Sequence, residues 1–286
     1  TYASYSNTVG KHDFLVMGGI NYESQKYRSM SAGRKNLLSA ELNDLNLGTG
    51  DMTVGGGASQ YVLFGAFFRV NYSYAERYLL EVNGRYDGTS RYEKNSRFGF
   101  FPSFSGAWRL SEEPFFQPAK NTVNNLKIRA SYGQLGNQLN SSSYPYISTM
   151  SMSLSNWIMN AEKTQTVSVP APTPGNLTWE KVITKNIGLD FSLLNNRLSF
   201  TGDAYLRDTK DMLIAGELLP AVFGASSPKQ NAGDLRTKGY EISISWRDQF
   251  KLAGKPFNYN IAFMLGDSKA KITKFNNPTN LLSTYY

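Results

Sequence analysis

A single histidine, His12, stands in the 286 residues, and there is no cysteine. An imidazole works as a general base when a nucleophile lies within hydrogen-bond reach. His12 sits in the turn-like run Gly10-Lys11-His12-Asp13, and no serine is patterned with it as a barrel hydrolase would require. It reads as a polar turn residue. Asp44 and Asp51 lie in a Gly-rich stretch, "NDLNLGTGD". Carboxylates there could ligate calcium, yet the spacing matches no standard calcium loop, and the stretch reads as a plain loop. "GTGDMTVGGG" has the glycines of a phosphate loop but neither its Lys-Ser/Thr pair nor a helix pattern behind it. Without cysteine there are no disulfides and no thiolate metal sites. These residues assign no catalytic group, no metal and no cofactor, and the chain is not expected to be an enzyme.

A second set of charges is regularly spaced. In "YLLEVNGRYDG" (78–88), Glu81, Arg85 and Asp87 alternate with Tyr78, Leu80, Val82, Gly84 and Tyr86. A strand sends alternate side chains to opposite faces, so this strand has one oily face and one wet face. Lys127 and Arg129 oppose Leu126, Ile128, Ala130 and Tyr132 in the same way. Asp190 opposes Ile187, Leu189, Phe191 and Leu193. Asp203 and Arg207 oppose Leu198, Phe200, Ala204 and Leu206. Glu241 and Arg247 oppose Tyr240, Ile242, Ile244 and Trp246. Strands also fit 1–9, 13–23, 61–74, 97–110 and 257–265. The pattern predicts an all-β, antiparallel protein of about ten strands with no convincing helix.

The connections are unequal. Gly10-Lys11-His12, Ala75-Glu76-Arg77 and the two-residue turn Asn195-Asn196 are short, whereas 24–59, 137–178 and 210–236 are long and polar. Short and long links mostly alternate, which places tight turns at one end of an up-and-down sheet and large loops at the other. The exception is that 89–96 is shorter than 111–124. A soluble β-sandwich also has one apolar face per strand. Three features favour a membrane barrel instead: strands long enough for a tilted hydrocarbon span, aromatics at strand ends such as Tyr72, Tyr74, Trp108, Trp179 and Trp246, and the loop asymmetry. The greasy face then meets lipid and the wet face lines a lumen. No run of about 18 apolar residues marks a membrane helix. The net charge of +8 comes with basic clusters no longer than pairs such as Arg34-Lys35, so nucleic acid is not an expected partner. Thr1 opens inside a strand pattern and "NLLSTYY" ends without a stop signature, so the chain is expected to be part of a longer protein.

Several segments resemble one family. "RVNYSYAERYLLEVNGRYDGTSRY", "RFGFFPSFSGAWRLSEEPFF" and "LKIRASYGQLGNQ" are similar to the SusC-like TonB-dependent outer-membrane transporters (the SusC/RagA type). So are "LTWEKVITKNIGLDFSLLNNRLSFTGDAYLRDTKDMLI" and "NAGDLRTKGYEISISW". They run in the family's order over roughly residues 60–270. The resemblance implies a barrel of about 22 strands around a plug, with long extracellular loops and short periplasmic turns. Residues 1–286 would form part of that one barrel domain, and the plug and barrel ends would lie outside this chain. It also implies import of large nutrients, glycans or peptides, with a SusD-like surface lipoprotein on the loops and the TonB complex acting through the plug.

Within that picture Glu81, Arg85, Asp87, Lys127, Arg129, Asp190, Asp203, Arg207, Glu241 and Arg247 are candidates to face the lumen or plug. Their mixed signs suit a hydrated wall better than an ion-selective ring. Tyr144, Tyr146 and Trp157 are candidate ligand contacts, because sugar rings stack on such side chains. Leu218, Leu219, Val222 and Phe223 form an apolar stretch of a polar loop and are candidate partner contacts. The alternative functions are an outer-membrane barrel of structural or secretion type without nutrient import, and a soluble glycan-binding β-protein.

Overall fold

The computed structural model describes residues 1–39, 41, 44–138, 143–170, 172–175, 177–216, 219–225 and 227–275. Twelve strands form: β1 (Tyr2–Val9), β2 (His12–Arg34), β3 (Met52–Tyr74), β4 (Tyr78–Thr89), β5 (Phe98–Arg109), β6 (Val123–Asn137), β7 (Met152–Met159), β8 (Glu162–Val167), β9 (Glu180–Leu193), β10 (Leu198–Ala215), β11 (Lys229–Leu252) and β12 (Lys255–Phe275). Ten of them make one antiparallel sheet in the order β1-β2-β3-β4-β5-β6-β9-β10-β11-β12, and β7 and β8 pair as a separate hairpin within the β6–β9 link. Among the described residues the only helical pieces are short 3₁₀ turns.

The tight turns bend the way twisted strands require. Ala75 and Glu76 take φ of 51° and 55°, Asn195 and Asn196 take 57° and 63°, and Ala253 and Gly254 take 50° and 79°. Consecutive positive φ values match the right-handed twist of the flanking strands. Asn and Gly reach them at little cost, whereas Ala75 and Ala253 carry some strain.

Several strands run further than the alternation suggests. β3 has 23 residues and β11 has 24, against the about 9–11 that a tilted strand needs to cross hydrocarbon. The long polar link expected at 24–59 is therefore mostly ladder, with Lys26 paired to Gln60 and Arg34 to Met52. Beyond the membrane both faces of a hairpin are wet, so no apolar alternation survives to be read.

Among the described residues the sheet has no second layer, and the buried hydrophobic cluster is limited to Tyr92, Phe101, Leu177 and Trp179. Apolar side chains on one face stay open, with Ile187 and Phe263 both 60% exposed. A soluble sandwich would bury these positions against a facing sheet; this sheet offers them to a solvent as apolar as they are. At the short-turn end that face carries a belt of rings across β2 to β5. His12 meets Tyr74 at 4.9 Å, Tyr74 stacks on Tyr78 at 6.4 Å, and Tyr78 stacks on Trp108 at 6.2 Å. Amphipathic rings settle at the boundary between hydrocarbon and water.

Candidate functional site

The opposite face is concave and polar. Ser6, Thr8, Asp13, Asn71, Glu81, Ser105, Arg129, Ser131 and Asn186, drawn from β1 to β9, line one trough of about 990 Å³. The alternation fixes who faces it, because Glu81 pairs with Asn71 and Ser105, and Arg129 pairs with Ala107 and Gly188.

The strongest polar feature spans β6, β9 and β10. Arg129 donates from Nε and Nη2 to Asp190 at 3.1 and 3.3 Å, and from Nη1 and Nη2 to Asp203 at 2.8 and 2.6 Å. Lys127 reaches Asp190 at 2.9 Å, and Asn186 donates to Asp203 at 3.0 Å. Arg129 and Asp203 both stand directly opposite Gly188, on the strands at either side of it. The missing side chain of Gly188 is what lets the guanidinium lie across β9 and touch the third strand. An ideal Cβ there would fall 2.6 Å from Arg129 Cζ. Planar, forked recognition of two carboxylates is a task for Arg and not Lys.

The remaining wall charges are more local. Arg85 grips Asp87 on its own strand at 2.8 and 3.0 Å, over Gly65. Glu81 accepts from Asn83 at 2.7 Å, and Asn83 accepts from Arg69 at 2.9 Å. Arg207 lies over the Tyr205 ring at 5.6 Å. Glu241 and Arg247 sit in register on the same face, beside Asp203 and beyond Ser245. All ten charged candidates thus lie on the trough side, five strands apart at most, with carboxylates and cations interleaved.

Outside the spanning strands, Glu112 and Glu113 form a charged knot at the short-turn end. Glu113 accepts from the Trp108 indole at 3.0 Å and faces Arg77 at 3.4 Å. Hydrogen bonds from Tyr78 and then Trp108 hold its carboxyl below the usual carboxylate range. The Lys120 ammonium, 2.8 Å away, does the same for Glu112.

The long-loop end carries the loop candidates. Tyr144 and Tyr146 meet edge to face at 6.2 Å. Trp157 is exposed on β7, beside exposed Ile158 and Met159. Val222 and Phe223 are 96% and 57% exposed, Leu219 is half-buried, and Leu218 lies outside the described residues. The described members of this set therefore lie on two separate links, Tyr144, Tyr146 and Trp157 between β6 and β9 and Leu219, Val222 and Phe223 between β10 and β11. Asp44 caps a short turn by accepting from Asn46 N–H at 3.0 Å. His12 leaves the turn for the first position of β2, where Nδ1 is 2.9 Å from the Tyr72 hydroxyl.

Sequence reasoning missed the rim cluster. The 90–97 link folds inward so that Tyr92 and Phe101 meet Trp179 edge-on at 5.7 and 5.4 Å, and the Trp179 indole donates to Arg97 O at 3.2 Å. The signal was masked because "FGFFPSF" is aromatic on both faces, and Phe101 belongs to the inner one.

Comparison with known proteins adds four observations. Residues 1–286 match the family described as TonB dependent receptor-like, beta-barrel. TonB-dependent receptor P3 of Formosa agariphila is 33% identical over 96% of this chain and 27% of its own length. TonB-dependent receptor SusC of Bacteroides thetaiotaomicron is 29% identical over 100% of this chain and 28% of its own. Among solved structures the RagAB peptide transporter superposes with a TM-score of 0.81 at 26% identity, covering 96% of this chain and 30% of that one. The chain thus spans less than a third of the length of each of these three relatives.

Proposed function

The chain belongs to the TonB dependent receptor-like β-barrel family of the outer membrane, and on that premise we propose that it forms part of the wall of a SusC-like importer of large nutrients. The observation that carries this reading is the two-faced sheet: apolar residues outward, interleaved charges inward, long loops gathered at one end. Strands β1 and β12 each leave one edge unpaired among the described residues. Unpaired edge groups are costly in hydrocarbon, so further strands of the longer protein complete the barrel around a plug. The wall itself does no covalent chemistry. Its mixed-sign lining offers a hydrated, charge-balanced surface for a plug and for passing solute, and among the described residues its trough of about 990 Å³ is open along one side, unlike the enclosed pockets that hold a small ligand tightly. Capture then falls to the loops and to a SusD-like lipoprotein seated on them, with exposed Val222, Phe223 and the β7–β8 hairpin in the contact. The cargo class is glycan or peptide; one structural relative is named a peptide transporter. Affinity purification of the tagged intact protein from native membranes tests the reading. A stoichiometric surface lipoprotein in the eluate is expected, and its absence under mild detergent would remove the import complex.

A further inference from the structure

The outward face has a basic corner that a plain lipid-facing wall does not need. Reading up β9, the outward set Phe191, Leu189, Ile187 ends at Lys185. On β11, Trp246, Ile244, Ile242, Tyr240 ends at Lys238, and on β12 Phe263 and Leu265 lead through Asp267 to Lys269. The register puts these three lysines in one hydrogen-bonded row, Lys185–Leu206–Lys238–Lys269. Lys238 and Lys269 stand directly opposite each other, about 5 Å apart at the backbone, and Lys185 is two strands or about 10 Å from Lys238. Like charges directly opposite destabilise a sheet, and none of the three has a carboxylate within ion-pair distance among the described residues. Asp208, the acidic neighbour on β10, is taken by Arg236 at 2.6 and 3.0 Å. Asp267 lies one row nearer the apolar band, and its Oδ1 accepts from Ser268 N–H at 2.8 Å. One row further out, Lys271 faces Arg236 and adds to the excess.

Below the row lies a groove of about 690 Å³ on the same outward face. Its floor is Ala204 and the strand backbone at Gly239, its apolar flanks are Ile187, Leu206 and Tyr240, and Asp267 lines its β12 side next to Lys269. A cationic rim over an apolar slot has the shape of an amphiphile: an anionic head and an acyl chain. Lys side chains at this depth extend their charge toward water while their stems stay on apolar surface.

We propose that Lys185, Lys238 and Lys269 bind the phosphate-bearing headgroup of an outer-leaflet glycolipid, with one acyl chain in the groove over Ala204. The inference rests on the proposed orientation, in which the long-loop end faces outward. The test uses the intact protein in detergent or nanodiscs with lipid A as probe, offered with its phosphates and after their removal. Wild type should hold the phosphorylated form at least about tenfold more tightly, since each lysine near an anionic surface contributes about 1 kcal/mol. In the triple variant Lys185→Gln, Lys238→Gln, Lys269→Gln that preference should vanish. Lys251→Gln with Lys255→Gln, at the short-turn end, should retain it. Heat-modifiable gel mobility shows that each variant is folded, and the comparison of the two lipids needs only wild type. Equal binding of both lipids by wild type, or an equal loss in the short-turn control, would overturn the site. Orientation is read separately by labelling Ser153→Cys and Lys11→Cys on whole cells with an impermeant thiol reagent. Labelling of position 11 alone would place the three lysines at the opposite leaflet and overturn the assignment to an outer-leaflet glycolipid, whatever preference is measured in detergent, whereas loss of the lipid preference with position 153 labelled would overturn the site and leave the orientation standing.

Discussion

Replacing Gly188 by alanine should loosen the wall through Arg129. The added Cβ would lie 2.6 Å from Arg129 Cζ and 2.8 Å from both its Nη1 and Asp203 Oδ1. Atoms do not sit that close, so the guanidinium must lift from β9. It then loses its paired bonds to Asp203, while its bonds to Asp190 on the strand at which it is aimed can persist. Hydrogen bonds to charged groups contribute about 1.5–3 kcal/mol when well buried. The Arg129 and Asp203 side chains are 31% and 17% exposed, so solvent screening trims this, and we expect about 1–2 kcal/mol. Gly106→Ala is the matched control, because its new Cβ meets nothing nearer than Leu79 O at 3.8 Å. It should be neutral or slightly stabilising through the unfolded chain, by up to about 1 kcal/mol. The assay is the urea midpoint of the intact protein in detergent, read by the fraction running as the folded band. In an Arg129→Met background the effect of Gly188→Ala should shrink, since the clash is with the guanidinium. Equal midpoints for the two alanine variants, or an undiminished effect without Arg129, would refute the reasoning.

Three further outcomes follow from the geometry. Ile244→Arg puts a cation among outward apolar residues and should cost about 2–4 kcal/mol near the midplane, whereas Ser243→Arg, one residue away on the trough side, should cost far less; equal loss of folded band would reverse the faces. Trp179→Ala removes the centre of the rim cluster, and limited proteolysis should then nick 90–97 several-fold faster; unchanged protection would mean that the cluster does not hold that segment. For Glu113 the folded carboxyl is depressed, so its stabilisation is complete above the unfolded value of about 4.3 and disappears as pH falls through the lower folded value. The gap between wild type and Glu113→Gln should be constant from neutral pH down to about 5 and close below about 4, and a gap that closes on the alkaline side instead would contradict the assignment.

The membrane-crossing part of each strand was legible because one face had to be apolar. Tyr78 to Tyr86, Leu126 to Tyr132 and Tyr240 to Trp246 show strict alternation, and the ladder follows it without a slip. The same alternation placed Glu81, Arg129, Asp190 and Asp203 on one side, but not the contact between Arg129 and Asp203, which depends on Gly188 in the strand between. A glycine in a strand reads as a weak point, not as a passage for a neighbour's side chain. Outside the membrane the physical constraint disappears. Residues 24–34 and 52–60 are strands in which nothing need be oily, and the β7–β8 hairpin is hidden for the same reason in a run of Ser, Met and Asn. The lysine row was unreadable for another cause: Lys185, Lys238 and Lys269 are far apart in the chain and meet only through register.

Growth tests the central claim most directly. A strain lacking the full-length protein, compared with its parent on polymeric glycans and on peptides as the sole nutrient, is predicted to fail on at least one polymer while growing normally on the matching monomer. The intact gene should restore growth. Unchanged growth of the deletion strain on every polymer that supports the parent would contradict import, and would leave a barrel wall with a structural task.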